Sequence, residues 1–476
     1  MASFVNSVLW SYFTQYGQMI INFGSSIALA RLLTPAEVGI YSVSFALIGF
    51  ASLLRDFGVS DYIVQEKSLT NAKVQTAFTF NNILAWLLAF VVYFSAEPIA
   101  KFYGQPGIEE VFYVLSVNFL LVPLGAITFA LLRKDMQFKS LANIQLLSVT
   151  VTAIVSIATA YYGASYLSMA YGAVAGSATT ALVCQLYRRR DIPFRLTLSS
   201  VKAIWAYSSH SVFFTMTRYT SNSMAEILVG KLLGMSEVAI FNKAKSFPGL
   251  INQALTNGLK STVLPSVAKL SHSPELIKER YLTIVSFSLA IVWPVIVFLG
   301  VMSYDIISFL FGENWLAVAP LMQIAVVSIG VWASILYADD LFKATGQISV
   351  IAKLEPLFLA LRVLSVIIGA QISIEAILLL GIGVVLIRFI IYIALLQRKL
   401  CIHWIDNIAA MMKSLFIAVV VASVLLIFNQ SLPLQSEFIA LFLNSLLFGV
   451  TWLLAMYLVK HPLLEFLTQK LSRSRK

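Results

Sequence analysis

The stretch ARLLTPAEVGIY, Ala30 to Tyr41, occurs twice in this chain. Two hundred residues on, Gly230 to Phe241 reads GKLLGMSEVAIF. Leu32, Leu33, Glu37, Val38 and Ile40 recur unchanged as Leu232, Leu233, Glu237, Val238 and Ile240. Ala30/Gly230, Arg31/Lys231, Ala36/Ser236, Gly39/Ala239 and Tyr41/Phe241 are close exchanges, and the match runs upstream without a gap through Ser11/Ser211, Phe13/Phe213, Asn22/Asn222 and Ile27/Ile227. An ungapped repeat of this length in a many-spanning membrane chain points to two related helical halves around a shared cavity.

The membrane assignment comes from composition. Hydrophobic residues make up 59% of the 476 positions and charged residues 12%, where an ordinary soluble domain carries roughly 25% charge. The two cysteines, Cys184 and Cys401, exclude a disulfide framework. The N-terminus lacks a basic leader and a small-residue cleavage site, so no cleavable signal peptide is expected. A net charge of +11 would suggest nucleic acid in a soluble protein, but here topology explains it.

Apolar runs of about 20 residues predict about 14 spans, at 8–30, 38–55, 77–96, 111–131, 141–162, 165–187, 206–230, 236–264, 281–303, 317–338, 351–371, 374–397, 411–429 and 437–459. With the N-terminus in the cytoplasm, about three quarters of the basic residues fall on the inner side, and the positive-inside rule puts both termini there. The longest early inner connection, 188–205, carries Arg188, Arg189 and Arg190. It divides the chain into a six-helix bundle over 1–187, the basic linker 188–205, a second six-helix bundle over 206–400, and two additional helices with a basic tail over 401–476. Because the repeat pairs helices of the same orientation, it is a parallel repeat about an axis along the membrane normal. The fold class is therefore an all-α integral membrane protein. Pro123, Pro248 and Trp293-Pro294 should bend their helices. Ser168, Gly172, Gly176 and Thr180, four apart, read as a close helix-packing stripe.

Polar residues inside spans bear on chemistry. Ser7, Ser11, Gln15, Gln18 and Asn22 share a face of the first span, and Ser211, Thr215, Arg218, Asn222 and Glu226 repeat it on the seventh. The eighth adds Asn242 and Lys245, with Lys243 one step off that face. An ionised group at the bilayer centre costs about 2.5–3.5 kcal/mol on the lenient insertion scale, so these cations are expected to face water or a bound anion. One alternative is a buried network in which Glu226 neutralises Arg218 or Lys243. Against it, three cations face one carboxylate, and arginine and lysine with amide donors suit phosphate or pyrophosphate. Arg55, in LLRDFG, either joins them or is a topogenic charge paired with Asp56. Asp339, Asp340 and Lys343 mark either a solvated helix end or a gating or ion-coupling group. Arg362 and Arg388 are explained by snorkelling or mutual contact as well as by a lipid phosphate. His210, His272, His403 and His461 have no ligand spacing, so no metal is expected. No nucleotide-binding or nucleophile motif occurs, and neither a cofactor nor an enzymatic activity is expected.

The segments LARLLTPAEVGIY, LLRDFGVSDYIVQ and FLFGENWLAVAPLMQIAVV resemble the polysaccharide exporter branch of the multidrug/oligosaccharidyl-lipid/polysaccharide (MOP) superfamily, with likeness to about residue 400. The resemblance implies a Wzx-type flippase of the bacterial cytoplasmic (inner) membrane. Such a protein moves undecaprenyl-pyrophosphate-linked oligosaccharide repeat units by alternating access, for O-antigen, lipopolysaccharide or exopolysaccharide synthesis. On that basis Arg218, Lys243 and Lys245 are expected to bind pyrophosphate, with Arg55 at the inner mouth. Gln15, Gln18, Asn22, Asn222 and Asn242 would meet sugar hydroxyls or line the path, and Glu226 would tune the cations or titrate in proton-coupled transport. Helices over 411–459 depart from twelve-helix members and resemble the extra pair of lipid II flippases. Membrane lipids are expected partners, and a polysaccharide polymerase and export machinery are candidate ones; nucleic acid is not expected. A multidrug or cation antiporter of the same superfamily is the alternative, which should select buried acids. A membrane polymerase or ligase would need a large outer loop, and none exceeds about 20 residues.

Overall fold

A computed structural model describes residues 2–56, 58–187, 197, 215–216, 219–220, 223–268, 273–432, 436–464 and 466. Among them all regular structure is helical. Arg218, Asn222 and, apart from Thr197, the basic segment 188–205 lie outside the described residues. The helices are α1 (Ala2–Leu32), α2 (Pro35–Asp56), α3 (Val59–Gln65), α4 (Asn71–Tyr103), α5 (Pro106–Lys134), α6 (Phe138–Tyr161), α7 (Leu167–Leu186) and α8 (223–232). There follow α9 (Met235–Ala268), α10 (Pro274–Val301), α11 (Ser303–Phe311), α12 (Val318–Ala333), α13 (Ala338–Ala344) and α14 (Ile348–Ala352). The last four are α15 (Glu355–Ala370), α16 (Ile374–Leu400), α17 (Trp404–Ser431) and α18 (Glu437–Leu458).

Ten stretches are long and apolar enough to cross a membrane: Pro35–Gln65, Asn71–Tyr103, Pro106–Lys134, Phe138–Tyr161, Leu167–Leu186, Pro274–Val301, Val318–Ala344, Ile374–Leu400, Trp404–Ser431 and Glu437–Leu458. Of the other expected spans, about half of 206–230 lies outside the described residues. The spans 8–30 and 236–264 are helical, but their polar stripes dilute the apolar run. The span 351–371 is divided between α14 and the 16-residue α15.

Both copies of the repeat fold alike, as a helix, a two-residue break and a new helix, at Leu33-Thr34 and at Leu233-Gly234. In the first copy Thr34 caps α2. Its N–H and hydroxyl donate to Glu37 Oε2 (2.7 and 2.8 Å), and the Glu37 N–H returns to Thr34 Oγ1 (3.4 Å). With Pro35 at the first helical position, TPAE is a complete capping box. The second copy replaces the threonine with Gly234, at φ +110°. The two copies pack on each other: a Cβ on Gly39 would stand 1.8 Å from the Met235 carbonyl oxygen, and one on Gly230 would stand 2.7 Å from Val43 Cγ2. Glycine is required wherever backbones approach this closely.

The chain forms two compact units, residues 1–239 and 240–476, with α9 starting in the first and continuing into the second. In the first unit α5 packs against α2, α3, α4 and α7, and α6 packs against α1 and α7. The small stripe of α7 takes its expected role: Gly172 and Gly176 face Ser156 and Thr152 of α6, and Ser148 Oγ donates to Gly176 O (2.8 Å). At the other end of the bundle Lys134 donates to Ile63 O (2.9 Å) and to Glu66 O, covering carbonyls that end α3. The backbone and hydroxyl of Ser68 hydrogen-bond the Glu66 carboxylate, and with Lys73 (3.3 Å) they hold its acid below the usual carboxylate range. In the second unit α10 packs against α12 and α17, and α16 against α12 and α15. Trp315, Tyr281, Tyr337 and Tyr392 are the largest side chains fully buried in it.

Candidate functional site

The first-unit candidates are spread along helix faces. On α1, Gln15 and Asn22 are exposed and Gln18 is half-buried. Polar side chains on a membrane-spanning helix are costly where that face meets lipid. Arg55 ends α2 with its guanidinium paired to Asp56 (2.9 Å) and stacked 5.3 Å above the Phe119 ring of α5. Its side chain is 11% exposed against 62% for Asp56. The pairing with Asp56 is the local one anticipated from LLRDFG, and the ring contact adds a tertiary anchor. Glu226, half-buried on α8, acts electrostatically on Tyr219, whose hydroxyl donates to Ala46 O of α2 (3.0 Å).

In the second unit Asn242 and Lys243 are half-buried and Lys245 is exposed. Lys243 Nζ stands 4.4 Å from the Phe311 ring centre and 5.2 Å from that of Trp315. Both rings belong to the FGENW segment, where Gly312 at φ +88° makes the turn. Lys245 Nζ stands 4.5 Å over Phe241. An ammonium is attracted to aromatic faces by the ring quadrupole, and both lysines are packed on rings in this way.

The tightest charged cluster joins three helices of this unit. Arg388 of α16 donates through Nη2 to Glu355 Oε1 of α15 (2.6 Å) and to the Tyr392 hydroxyl one turn on (2.8 Å). The Tyr392 hydroxyl donates in turn to Asp339 Oδ1 of α13 (2.7 Å), and Asp339 Oδ2 lies 4.0 Å from Arg388. Trp332, Phe358 and Tyr392 surround the guanidinium, at 4.7, 4.7 and 5.1 Å. A buried charge persists only when paired, and this one has two carboxylates, a phenol and three ring faces. Asp340, adjacent in sequence, points elsewhere: it is buried, with Lys343 at 3.6 Å and Oδ2 without a hydrogen bond.

The structure thus brings Asp339 together with Arg388 and gives Asp340 a separate partner. It adds Glu355 and Tyr392, which sequence reading missed. The signals were present: Glu355-Pro356 opens a helix, and Arg388 and Tyr392 are four apart. Nothing local says that α13, α15 and α16 converge. Among the described residues no group of histidine, cysteine or acidic side chains is placed to hold a metal.

Comparison with known proteins gives the context. The family described as polysaccharide biosynthesis protein matches residues 28–320. Lipopolysaccharide biosynthesis protein WzxC of Escherichia coli (strain K12) is 21% identical over 348 residues, 72% of this chain and 70% of that one. Succinoglycan biosynthesis transport protein ExoT of Rhizobium meliloti (strain 1021) is 21% identical over 344 residues, 72% and 69%. In structure, lipid II flippase MurJ in an inward closed conformation superposes with a TM-score of 0.77 at 13% identity, covering 95% of this chain and 98% of that one. An inward-facing multidrug resistance MATE family transporter of the MOP superfamily reaches 0.62 at 14% identity, covering 81% and 94%. The match to more than half of its length makes this chain a member of the polysaccharide biosynthesis protein family, built on the helical fold shared by the MOP superfamily transporter and the lipid II flippase.

Proposed function

We propose that this chain is a flippase that carries lipid-linked oligosaccharide repeat units across the bacterial inner membrane by alternating access, for surface polysaccharide synthesis. The observation that carries the reading is the family match over 28–320, with relatives named for lipopolysaccharide and succinoglycan biosynthesis. The cargo's chemistry fits: undecaprenyl pyrophosphate is a membrane-bound dianion, and Arg218, Lys243 and Lys245 are cations in stretches that the sequence marks as spans, where charge is costly. In this reading they hold the pyrophosphate, with Arg55 receiving it at the inner mouth. Gln15, Gln18, Asn22, Asn222 and Asn242 meet sugar hydroxyls, and Glu226 tunes the cations. Asp339 and Asp340 serve gating, Asp339 through its tie to Arg388. The chain transports rather than catalyses. Both termini face the cytoplasm, the segment 188–205 divides two six-helix bundles, and 401–476 follows them. Polysaccharide polymerase and export machinery are the partners that would use the flipped product.

The test is deletion of the gene, with complementation by the native chain or by Lys243→Ala and Arg218→Ala. Expected is loss of surface polysaccharide with repeat units accumulating on the cytoplasmic face, restored by the native chain and not by either variant. Export restored by both variants removes the anion site. Unchanged export and unchanged lipid-linked intermediates in the deletion strain would remove the flippase itself and turn attention to Glu226-dependent drug efflux.

A further inference from the structure

Proline inside a helix deprives the residue four positions earlier of its backbone donor. In α10 the proline is Pro294, and the residue it deprives is Ala290. Ala290 is fully buried. A backbone carbonyl in such a place has no water to turn to, and leaving it bare is costly. It is not bare: the indole Nε1–H of Trp452, on α18, donates to Ala290 O over 2.8 Å. Trp452 lies parallel to Phe448 one turn earlier (6.4 Å, 2°), and Phe448 packs at 5.1 Å on Phe298 of α10. The ring is thus held in the position from which its N–H reaches the freed carbonyl.

The residue before the proline points the other way. Trp293 Nε1 donates to Gly330 O of α12 over 2.9 Å. There α12 is loosening, because the Ser334 N–H reaches Val331 O, three residues back, and Ser334 Oγ lies 3.3 Å from Gly330 O. A Cβ on Gly330 would stand 2.8 Å from Ile296 Cδ1, so α10 and α12 touch closely at this point. Beyond it the chain passes Tyr337, which donates to Ser288 Oγ of α10 (2.9 Å), and enters α13 with Asp339. Ser414 of α17 adds a second tie to the α10 backbone, Oγ to Ser286 O at 3.2 Å.

We propose that Trp452 is a positioning residue for α10 at Pro294, and that through it α17 and α18 act as a brace setting how α10 meets the loosened end of α12. The two terminal helices then have a mechanical task inside the second unit. It does not depend on what the chain carries.

The experiment is a thermal midpoint series on the full chain purified in detergent. Trp452→Phe keeps a ring and loses the donor, and one hydrogen bond in a unit of this size corresponds to a drop of about 2–4 °C. In a Pro294→Ala background residue 294 has its own N–H for Ala290 O, and there Trp452→Phe is expected to cause no further drop. Equal drops in both backgrounds assign the effect to ring packing and overturn the proposal, as does the absence of a drop in the native background. A second measurement covers the case in which Pro294→Ala does not fold. Incorporating β-(3-benzothienyl)alanine at 452 puts sulfur in place of the N–H within the same outline. The Trp452→Phe drop should be reproduced, and an unchanged midpoint overturns the brace.

Discussion

Arg388 carries a guanidinium about one tenth exposed inside a helix otherwise suited to lipid, and its two acids are more open, at 29% for Asp339 and 38% for Glu355. Removing the cation leaves those acids with partial solvation, so the penalty is below that of a fully buried pair. Arg388→Met is expected to cost about 1–3 kcal/mol of stability, a discounted share of the cost of breaking a buried pair. Arg388→Lys should recover only part of it, since an ammonium lacks the planar fork and the ring stacking. Chemical denaturation of the three forms reads this directly, and a lysine variant as stable as the native chain would reduce the cluster to simple charge balance. Lys243 allows charge to be separated from packing. Methionine has the length and apolar body to lie on Phe311 and Trp315, so Lys243→Met should fold with a near-native midpoint while export falls at least tenfold, and Lys243→Arg should keep much of it. A methionine variant that exports normally would leave the lysine as an anchor for the FGENW turn.

The helices differ in how far their sequences announce them. The α7 stripe and the TPAE capping box are local in origin and are present in the fold, and Pro294 lies inside α10; the stripe and the proline were legible in the residues. Local patterns also explain why α1 and α9, expected as spans, fall short of the apolar signal that marks one, since polar stripes lower it. What could not be read was convergence. Asp339, Glu355 and Arg388 are brought together by the packing of α13, α15 and α16, and no spacing rule encodes that. The same holds for His461, which has no ligand spacing yet is fully buried where α10, α17 and the end of α18 meet. Leu463 N–H donates to its Nδ1 (3.2 Å), which places the ring proton on Nε2, facing Ser286 Oγ (3.2 Å) and Ser414 Oγ (3.4 Å). Burial first, then the nearby Lys413 charge, push its pKa down to about 4 from 6.5. An unfolded histidine takes a proton below pH 6.5, and the native one does not until about 4. The unfolded state therefore binds more protons in that window, and stability falls as pH is lowered through it. Midpoints at pH 7.5 and 5 should show a pH-dependent loss in the native chain that His461→Asn reduces; an identical loss in both would place the acid sensitivity elsewhere.

At the scale of the whole molecule, the repeat that opens the chain's reading is also a contact. Gly39 of α2 lies against Met235 and Gly230 against Val43, so the second break rests on the helix that follows the first, with no room for a side chain at Gly39. Close backbone packing of this kind holds through van der Waals contact and excludes both lipid and water. It also has two natural states, closed or parted, because a glycine seam that separates by a few ångströms loses its contacts almost entirely. A transporter working by alternating access must part some seam once per cycle, and this one joins the helix after the first break to the second copy of the repeat. Cysteines at Val43 and Gly230, in a chain with exposed Cys401 replaced by serine, test whether it is the one. Val43→Cys removes a methyl from the side that Gly230 crowds, which makes room for the second thiol. If the seam opens in transport, oxidising the pair should arrest polysaccharide export and reductant should restore it, while each single cysteine exports with or without oxidant. Export that continues with the pair cross-linked would mean that the repeat breaks form a permanent hinge, and that access alternates by parting other helices around it.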